Sequence, residues 1–222
     1  MNIIDAIKMR RSIRNFKSTP VPKDILQKIL ETAIRTPSGM NTQPWEFVVA
    51  VGDVLEKIRE ETLKLADRRA PVTNDVARKP FEGIYKQRQV DLAVGIFKLA
   101  GITREDKEAR HQWWLRGFYF FNAPCEIVIC ADKELHETLD VLGIGAVCQS
   151  IALAAMEYGL GTCIADQGIL YDGIWYQYAG IPETKRLVAG ISIGYIDPDF
   201  PVNRFISTRV PVESITTWLG FK

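Results

Sequence analysis

Apolar residues recur at helical spacing along "VPKDILQKILETAIRT" (21–36). There Leu26, Ile29, Leu30, Ala33 and Ile34 form one stripe. The spacing predicts an amphipathic helix that Pro37 ends and Ser38-Gly39 turns. A shorter helix is predicted over 2–9 (NIIDAIKM) and a charged amphipathic one over 53–70. Runs rich in Val and Ile predict strands at 45–51 (WEFVVAV, expected to be buried), 125–131 (CEIVICA), 161–166 (GTCIAD) and 186–195 (RLVAGISIGY). Between the first two strands, residues 71–88 carry two prolines and several turn formers and read as a mobile surface segment. Residues 89–120 return to a helical pattern, with a charged break at "TREDKEAR".

One stretch departs from the amphipathic rule. "LDVLGIGAVCQSIALAAMEYGL" (139–160) is uncharged between Asp140 and Glu157 and rich in Gly and Ala. A helix apolar all round must be covered on most sides, and its small residues let other backbones approach. Coverage by a second subunit accounts for it, as does a central position within a monomer. Helices and strands are interleaved, but the segments between strands do not repeat as regular βαβ units. An α+β sandwich, with helices around a small central sheet, fits this order.

Length and charge narrow the function. A chain of 222 residues with 47% hydrophobic content suits one domain, here 1–222, with an excursion at about 71–120. Lys and Arg total 28 against 27 Asp and Glu, so a general basic surface for nucleic acid is not indicated. No signal-peptide pattern opens the chain and no apolar run of about 20 residues predicts a membrane span. The four cysteines (Cys125, Cys130, Cys148, Cys163) make no CxxC pair, and with His111 and His136 they give no zinc-like spacing. They read as buried thiols in a cytoplasmic protein, with no metal site.

Against that balanced background, "KMRRSIRNF" (8–16) places three arginines in five residues. An extended chain would put Arg10, Ser12 and Arg14 on one side and Arg11 on the other. Two guanidinium forks and a hydroxyl suit a phosphate or a polar ring edge; a solvated basic helix end accounts for the same spacing. "TPSGMNTQPWEF" (36–47) packs Ser38, Gly39, Asn41 and Gln43 between helix and strand, which suits a planar heterocycle or an ordinary loop. "GIGAVC" (143–148) lacks the third glycine of a dinucleotide fingerprint, and helix packing explains its glycines better. In "GLGTCIAD" (159–166) the glycines fall where a helix C-cap is expected, ahead of a strand that could aim N–H groups at a ligand. "RFISTRVPVESI" (204–215) adds Arg204 and Arg209. No GxSxG or triad setting supports nucleophilic catalysis.

Taken together and in order, "RRSIRNF", "PSGMNTQPWEF", "GLGTCIAD" and "RVPVESI" resemble the FMN-dependent nitroreductase family over nearly the whole chain. "KPFEGIYKQRQ" and "WWLRGFYFFNAPCEIVI" look like the nitrobenzoate-type subgroup. The resemblance implies a nitroreductase-like α/β sandwich: a central mixed sheet surrounded by helices, in an intertwined homodimer with two FMN sites at the interface. Arg10, Arg11, Ser12 and Arg14 would hold FMN through its phosphate, ribityl chain and pyrimidine edge, with Arg209 at the phosphate. Pro37, Ser38 and Asn41 would reach the flavin from the other subunit, and Ile164, Ala165 and Asp166 would lie along the isoalloxazine. Met40, Tyr85, Trp113 and Phe118 are the candidate substrate contacts; each suits packing equally well.

The implied activity is ping-pong reduction of FMN by NAD(P)H, then of an electron-poor nitroaromatic or quinone. The flavin carries the hydride, so no catalytic side chain is expected. Reductive dehalogenation (with Glu82, Tyr85 and Lys86 as lid residues), ene reduction, oxygen-dependent destruction of the flavin, and flavin binding without turnover are the alternatives. A non-flavin anion-binding domain is a further one.

Overall fold

The computed structural model describes residues 2–74, 80–135 and 137–221, with backbone alone over 137–140. The elements are α1 (Ile3–Met9), α2 (Lys23–Ala33), β1 (Glu46–Val51), α3 (Gly52–Asp67), α4 (Gly83–Ala100), α5 (Lys107–Leu115), β2 (Cys125–Asp132), α6 (Glu137–Glu157), β3 (Leu160–Ala165), α7 (Asp172–Ala179) and β4 (Lys185–Tyr195). The strands form one sheet in the order β1-β2-β4-β3, and each adjacent pair is antiparallel. The sheet is mixed at one edge only, through a parallel bridge between Ser12 and Thr162.

Helices cover both faces, giving three layers. On one face α2 and α6 pack on Ile127, Ile129, Ile191 and Ile193. On the other, α3 and α7 pack on Val128, Cys130 and Leu187. The continuous apolar run of β2 reflects this, since it is central and buried on both sides. β1 has the same composition but is an edge strand, and Val49 and Val51 are exposed. Its expected burial is therefore corrected: a valine run does not reveal how many neighbours a strand has.

Three further differences concern the excursion and the chain after the third strand. Residues 83–88, expected as surface loop, already belong to α4, and residues 75–79 of that segment lie outside the described residues. The charged break falls at 101–106, where Gly101 takes a left-handed conformation (φ 68°) and Asp106 caps α5 by accepting from the Ala109 N–H at 2.8 Å. The helix α7 has no counterpart in the sequence pattern; it is short, and its anchor Trp175 is fully buried, donating Nε1–H to the Gly168 carbonyl at 2.8 Å.

The apolar segment 139–160 falls on α6 and the start of β3, and residues 143–148 are helix interior. α6 is tied to the end of α2 by a hydrogen bond between the Thr36 and Ser150 hydroxyls at 2.6 Å. Leu142, Gly145, Gln149, Leu153 and Met156, on its other side, stay partly or fully open to solvent in a single chain. So do Ile3, Ile4 and Ile7 of α1, and Ile215, Trp218 and Leu219 of the C-terminal segment. No described helix is long and apolar enough to cross a membrane.

Candidate functional site

The arginine stretch is shaped by what its neighbours do. α1 stops at Met9 because Arg10 turns to φ −56°, ψ 128°. From there the chain runs along the outer edge of β3. Ile13 donates its N–H to the Thr162 carbonyl at 2.9 Å, and Lys17 donates to Tyr195 at 2.9 Å. The approach is close enough to require glycine at position 161, where a Cβ would sit 2.5 Å from Ile13 Cγ1. Extended backbone then fixes the alternation. Arg10, Ser12 and Arg14 all act on Cys163, Ser12 through a hydrogen bond and the arginines through charge. Arg11 points elsewhere and donates Nε–H to the Asn203 carbonyl at 2.7 Å.

Asn203, which sequence reasoning missed, is the clamp on this strand. Its buried amide accepts from the Arg14 N–H at 2.7 Å and donates to the Asn15 and Asp197 carbonyls, both at 2.8 Å. Arg116, also missed, donates to the Arg14 carbonyl at 2.9 Å and lies over the Phe200 ring at 4.7 Å. Burial holds its guanidinium below the usual value. Asn203 sits in no quoted motif, and Arg116 lies within "WWLRGFYFFNAPCEIVI" with nothing local to single it out; their roles exist only once distant segments meet.

Arg209 reaches the N-terminal arginines in space. Burial and then the charge of Arg209 depress Arg10 below an ordinary guanidinium. Arg209 itself is held by its own turn, donating to Ser207 Oγ at 2.7 Å and to the Thr208 carbonyl at 2.8 Å. Among the described ion pairs, no carboxylate is matched to Arg10, Arg11, Arg14 or Arg209. Arg10, Arg14 and Arg209, gathered with no matched carboxylate among the described residues, fit an anion. Arg204 is turned toward the Pro198 carbonyl, at 3.4 Å.

The edge of β3 continues past this point. The Thr162 carbonyl is used by the arginine strand, and alternation turns Ile164 toward the same edge. Among the described residues, no loop or flanking segment pairs with its backbone there. Ile164 is 41% exposed, and Ala165 and Asp166 are half-buried. The edge therefore offers an N–H and a carbonyl beside the arginines.

An open cleft of about 810 Å³ adjoins Arg14 and is walled in part by Trp113, Gln167, Tyr171, Arg69 and Arg110. Trp113 stacks on Phe200 at 6.4 Å. The hollow directly against Arg10 and Arg11, backed by Ala152 and Met156, is only about 40 Å³. It holds about one water, so a ring-sized ligand belongs to the larger cleft.

The remaining candidates lie apart. Phe118 is 1% exposed and packs between Trp114 and Tyr171, so it is core, and its expected substrate contact is corrected. Tyr85 is exposed on α4, under Arg88 at 5.8 Å, and the neighbouring Lys86 donates to Gln89 at 3.0 Å. In the 36–45 loop, Ser38 Oγ accepts from the Gln43 N–H at 2.9 Å. Met40, Asn41 and Gln43 have φ of 49°, 60° and 48°, a cluster of left-handed residues of the kind stored at ligand sites. Pro37, Asn41 and the fully exposed Met40 face solvent. This loop sits on α6 at Gly143, where a Cβ would meet Ser38 Cβ at 3.5 Å. The arginine hollow uses Ala152, nine residues further along the helix and so about 13 Å away. One chain does not join the two.

The cysteines are all reduced and buried. Burial raises each thiol, Cys130 and Cys148 to about 12 and Cys163 to about 11, which leaves them inert at neutral pH. Among the described residues no His, Cys, Asp and Glu group could hold a metal.

The sequence model of the Nitroreductase family matches residues 7–195. A chloronitrobenzene nitroreductase of Comamonas testosteroni is 31% identical over 221 residues, covering 98% of this chain and 96% of that protein. A 4-nitrobenzoate reductase of Nocardioides sp. (strain LMS-CY) is 28% identical, covering 96% and 88%. The crystal structure of an FMN and NADPH-dependent nitroreductase NfnB from sphigopyxis sp. strain HMH superposes with a TM-score of 0.93 at 25% identity over the whole of both chains.

Proposed function

The chain belongs to the nitroreductase family, and from that premise we propose that it is a flavin-dependent oxidoreductase that uses NAD(P)H to reduce FMN and then an electron-poor acceptor such as a nitroaromatic or quinone. The observation that carries this is the cluster of Arg10, Arg14 and Arg209, with no carboxylate matched to them among the described residues, beside an open strand edge and an aromatic cleft. The residues fit FMN. The arginines and Ser12 answer its phosphate dianion and polar chain. The backbone of Ile164 to Asp166 answers the donors and acceptors of a ring edge. When bound, FMN accepts hydride and hands it on, so no side chain has to act as nucleophile or general base.

The chain's own residues hold, orient and enclose. Asn203 and Arg116 keep the strand that carries Arg14 in place. Trp113 offers a flat apolar wall to an aromatic acceptor. Nicotinamide and acceptor would occupy the one cleft in turn, which gives ping-pong kinetics. We read 1–222 as a single domain whose 71–120 excursion supplies much of that wall, including Arg110 and Trp113.

The site is completed in this reading by a second copy of the chain. The open strip of α6 and the exposed apolar residues of α1 and the C-terminal segment would bury one another in a homodimer. In such a dimer the loop of Pro37, Ser38, Met40 and Asn41 from one copy would reach the flavin held by the other. We read the protein as a cytoplasmic enzyme of small molecules. The test is turnover by reconstituted protein: nitroarene-dependent oxidation of NADPH or NADH after FMN is added. A protein that takes up no FMN contradicts the proposal.

A further inference from the structure

Glu126 is a carboxyl in the wrong place for a structural residue. It lies near the start of β2, 1% exposed, and its Oε2 has no hydrogen-bond partner among the described residues. Its pairing partner across the sheet is Ser192, which hydrogen-bonds to the carboxyl. Ser192 in turn pairs with Cys163, and Cys163 is hydrogen-bonded by Ser12. Directly paired residues share a face, so Glu126, Ser192 and Cys163 form one polar row, and Ser12, bridged to the neighbouring Thr162, extends it to the arginine strand by its hydrogen bond to Cys163.

Room for the carboxyl is built in. At Gly190 a Cβ would lie 2.7 Å from Glu126 Oε1 and 2.9 Å from the Ala165 carbonyl. With no Cβ at position 190, the two oxygens face the same spot behind the strand edge. From α3, Arg59 is felt only through charge, because its donors go to Glu56, Tyr119 and Ala123. Cys125 and Cys163 are the other titratable groups against it, and Arg10 and Arg14 lie beyond Cys163.

We infer that Glu126 is a positioning residue that takes up a proton when the anionic cofactor seats on the arginine cluster. This rests on the proposed flavin function. Before binding, Ser192 and Arg59 favour the ionised carboxyl against burial, and the balance leaves it at about 8. A seated anion adds negative charge at the far end of the polar row. Each pairing step spans about 5 Å, so roughly 12 Å separates carboxyl and anion. At an effective permittivity of about 20 a single added charge at that range raises the carboxyl by about one unit. The neutral form then prevails, and no bare negative charge stands behind the Ala165 edge.

The experiment is calorimetric titration of FMN into flavin-stripped, full-length protein at pH 8.5, in two buffers of different ionisation enthalpy. Wild type should take up about half a proton per site; Glu126→Gln, which keeps the shape and cannot titrate, should take up correspondingly less. Equal uptake in both overturns the inference and leaves the flavin reading intact, whereas absence of FMN binding in wild type overturns both. Should Glu126→Gln not fold, Ser192→Ala supplies the check. Losing a hydrogen bond that favours the ionised form must move the uptake maximum to higher pH, and an unmoved maximum places the proton elsewhere.

Discussion

Arg10→Met separates a ligand-binding arginine from a structural one, because the two roles predict opposite signs. Methionine keeps the length of the stem and removes the charge. In the protein without ligand, Arg10 makes no described side-chain hydrogen bond or ion pair, and its guanidinium is depressed by burial and by Arg209. Removing it relieves repulsion, so the melting temperature of flavin-free protein should hold or rise. With FMN bound, the same change deletes a charge-assisted contact worth about 1.5–3 kcal/mol. That is roughly 10- to 150-fold in dissociation constant. Flavin-fluorescence titration gives the affinity and thermal unfolding with and without FMN gives the stability. FMN affinity within about twofold of wild type, or a flavin-free protein destabilised as much as the complex, would refute the reasoning.

The same geometry has other consequences. Glu126 is raised from 4.5 to about 8 by burial, so folding holds a proton that the unfolded chain releases between those values. Stability should therefore fall as pH rises from 4.5 to 8, by up to about 5 kcal/mol, and unfolding curves of Glu126→Gln should lack that slope. Gly161→Ala drives a Cβ to within 2.5 Å of Ile13; chemical denaturation should show a loss of about 1–3 kcal/mol, with weaker flavin retention as the arginine strand is displaced. Asn203→Ala leaves the Arg14 N–H without its acceptor and should cost about 1–3 kcal/mol, along with a larger fraction of flavin lost on dialysis.

How far the sequence reaches depends on the range of the interaction. α2 and β2 are legible because their patterns are local: a stripe at 3.6 spacing and an unbroken apolar run. β1 shares β2's composition, and only the sheet order reveals it as an edge. α7 is missed since "DGIWYQYA" is eight residues long with apolar groups on several sides. The early start of α4 is hidden by the turn-like "FEG", where Gly83 has φ 52°. Arg10, Ser12 and Arg14 stand out by clustering, and their shared face comes from extended geometry. Asn203 and Arg116 do not stand out, because their partners lie 189 and 102 residues away. Glu126 is a single acid in a strand, and only the register that sets Ser192 and Cys163 beside it makes it conspicuous.

The central claim is that this site passes electrons from a pyridine nucleotide through bound FMN to an electron-poor acceptor. Anaerobic rapid mixing of FMN-loaded protein with NADPH or NADH, and then with a nitroarene, tests it most directly. The flavin absorbance should bleach with at least one nucleotide and return on addition of the nitroarene. A bound flavin that neither nucleotide bleaches would contradict the account.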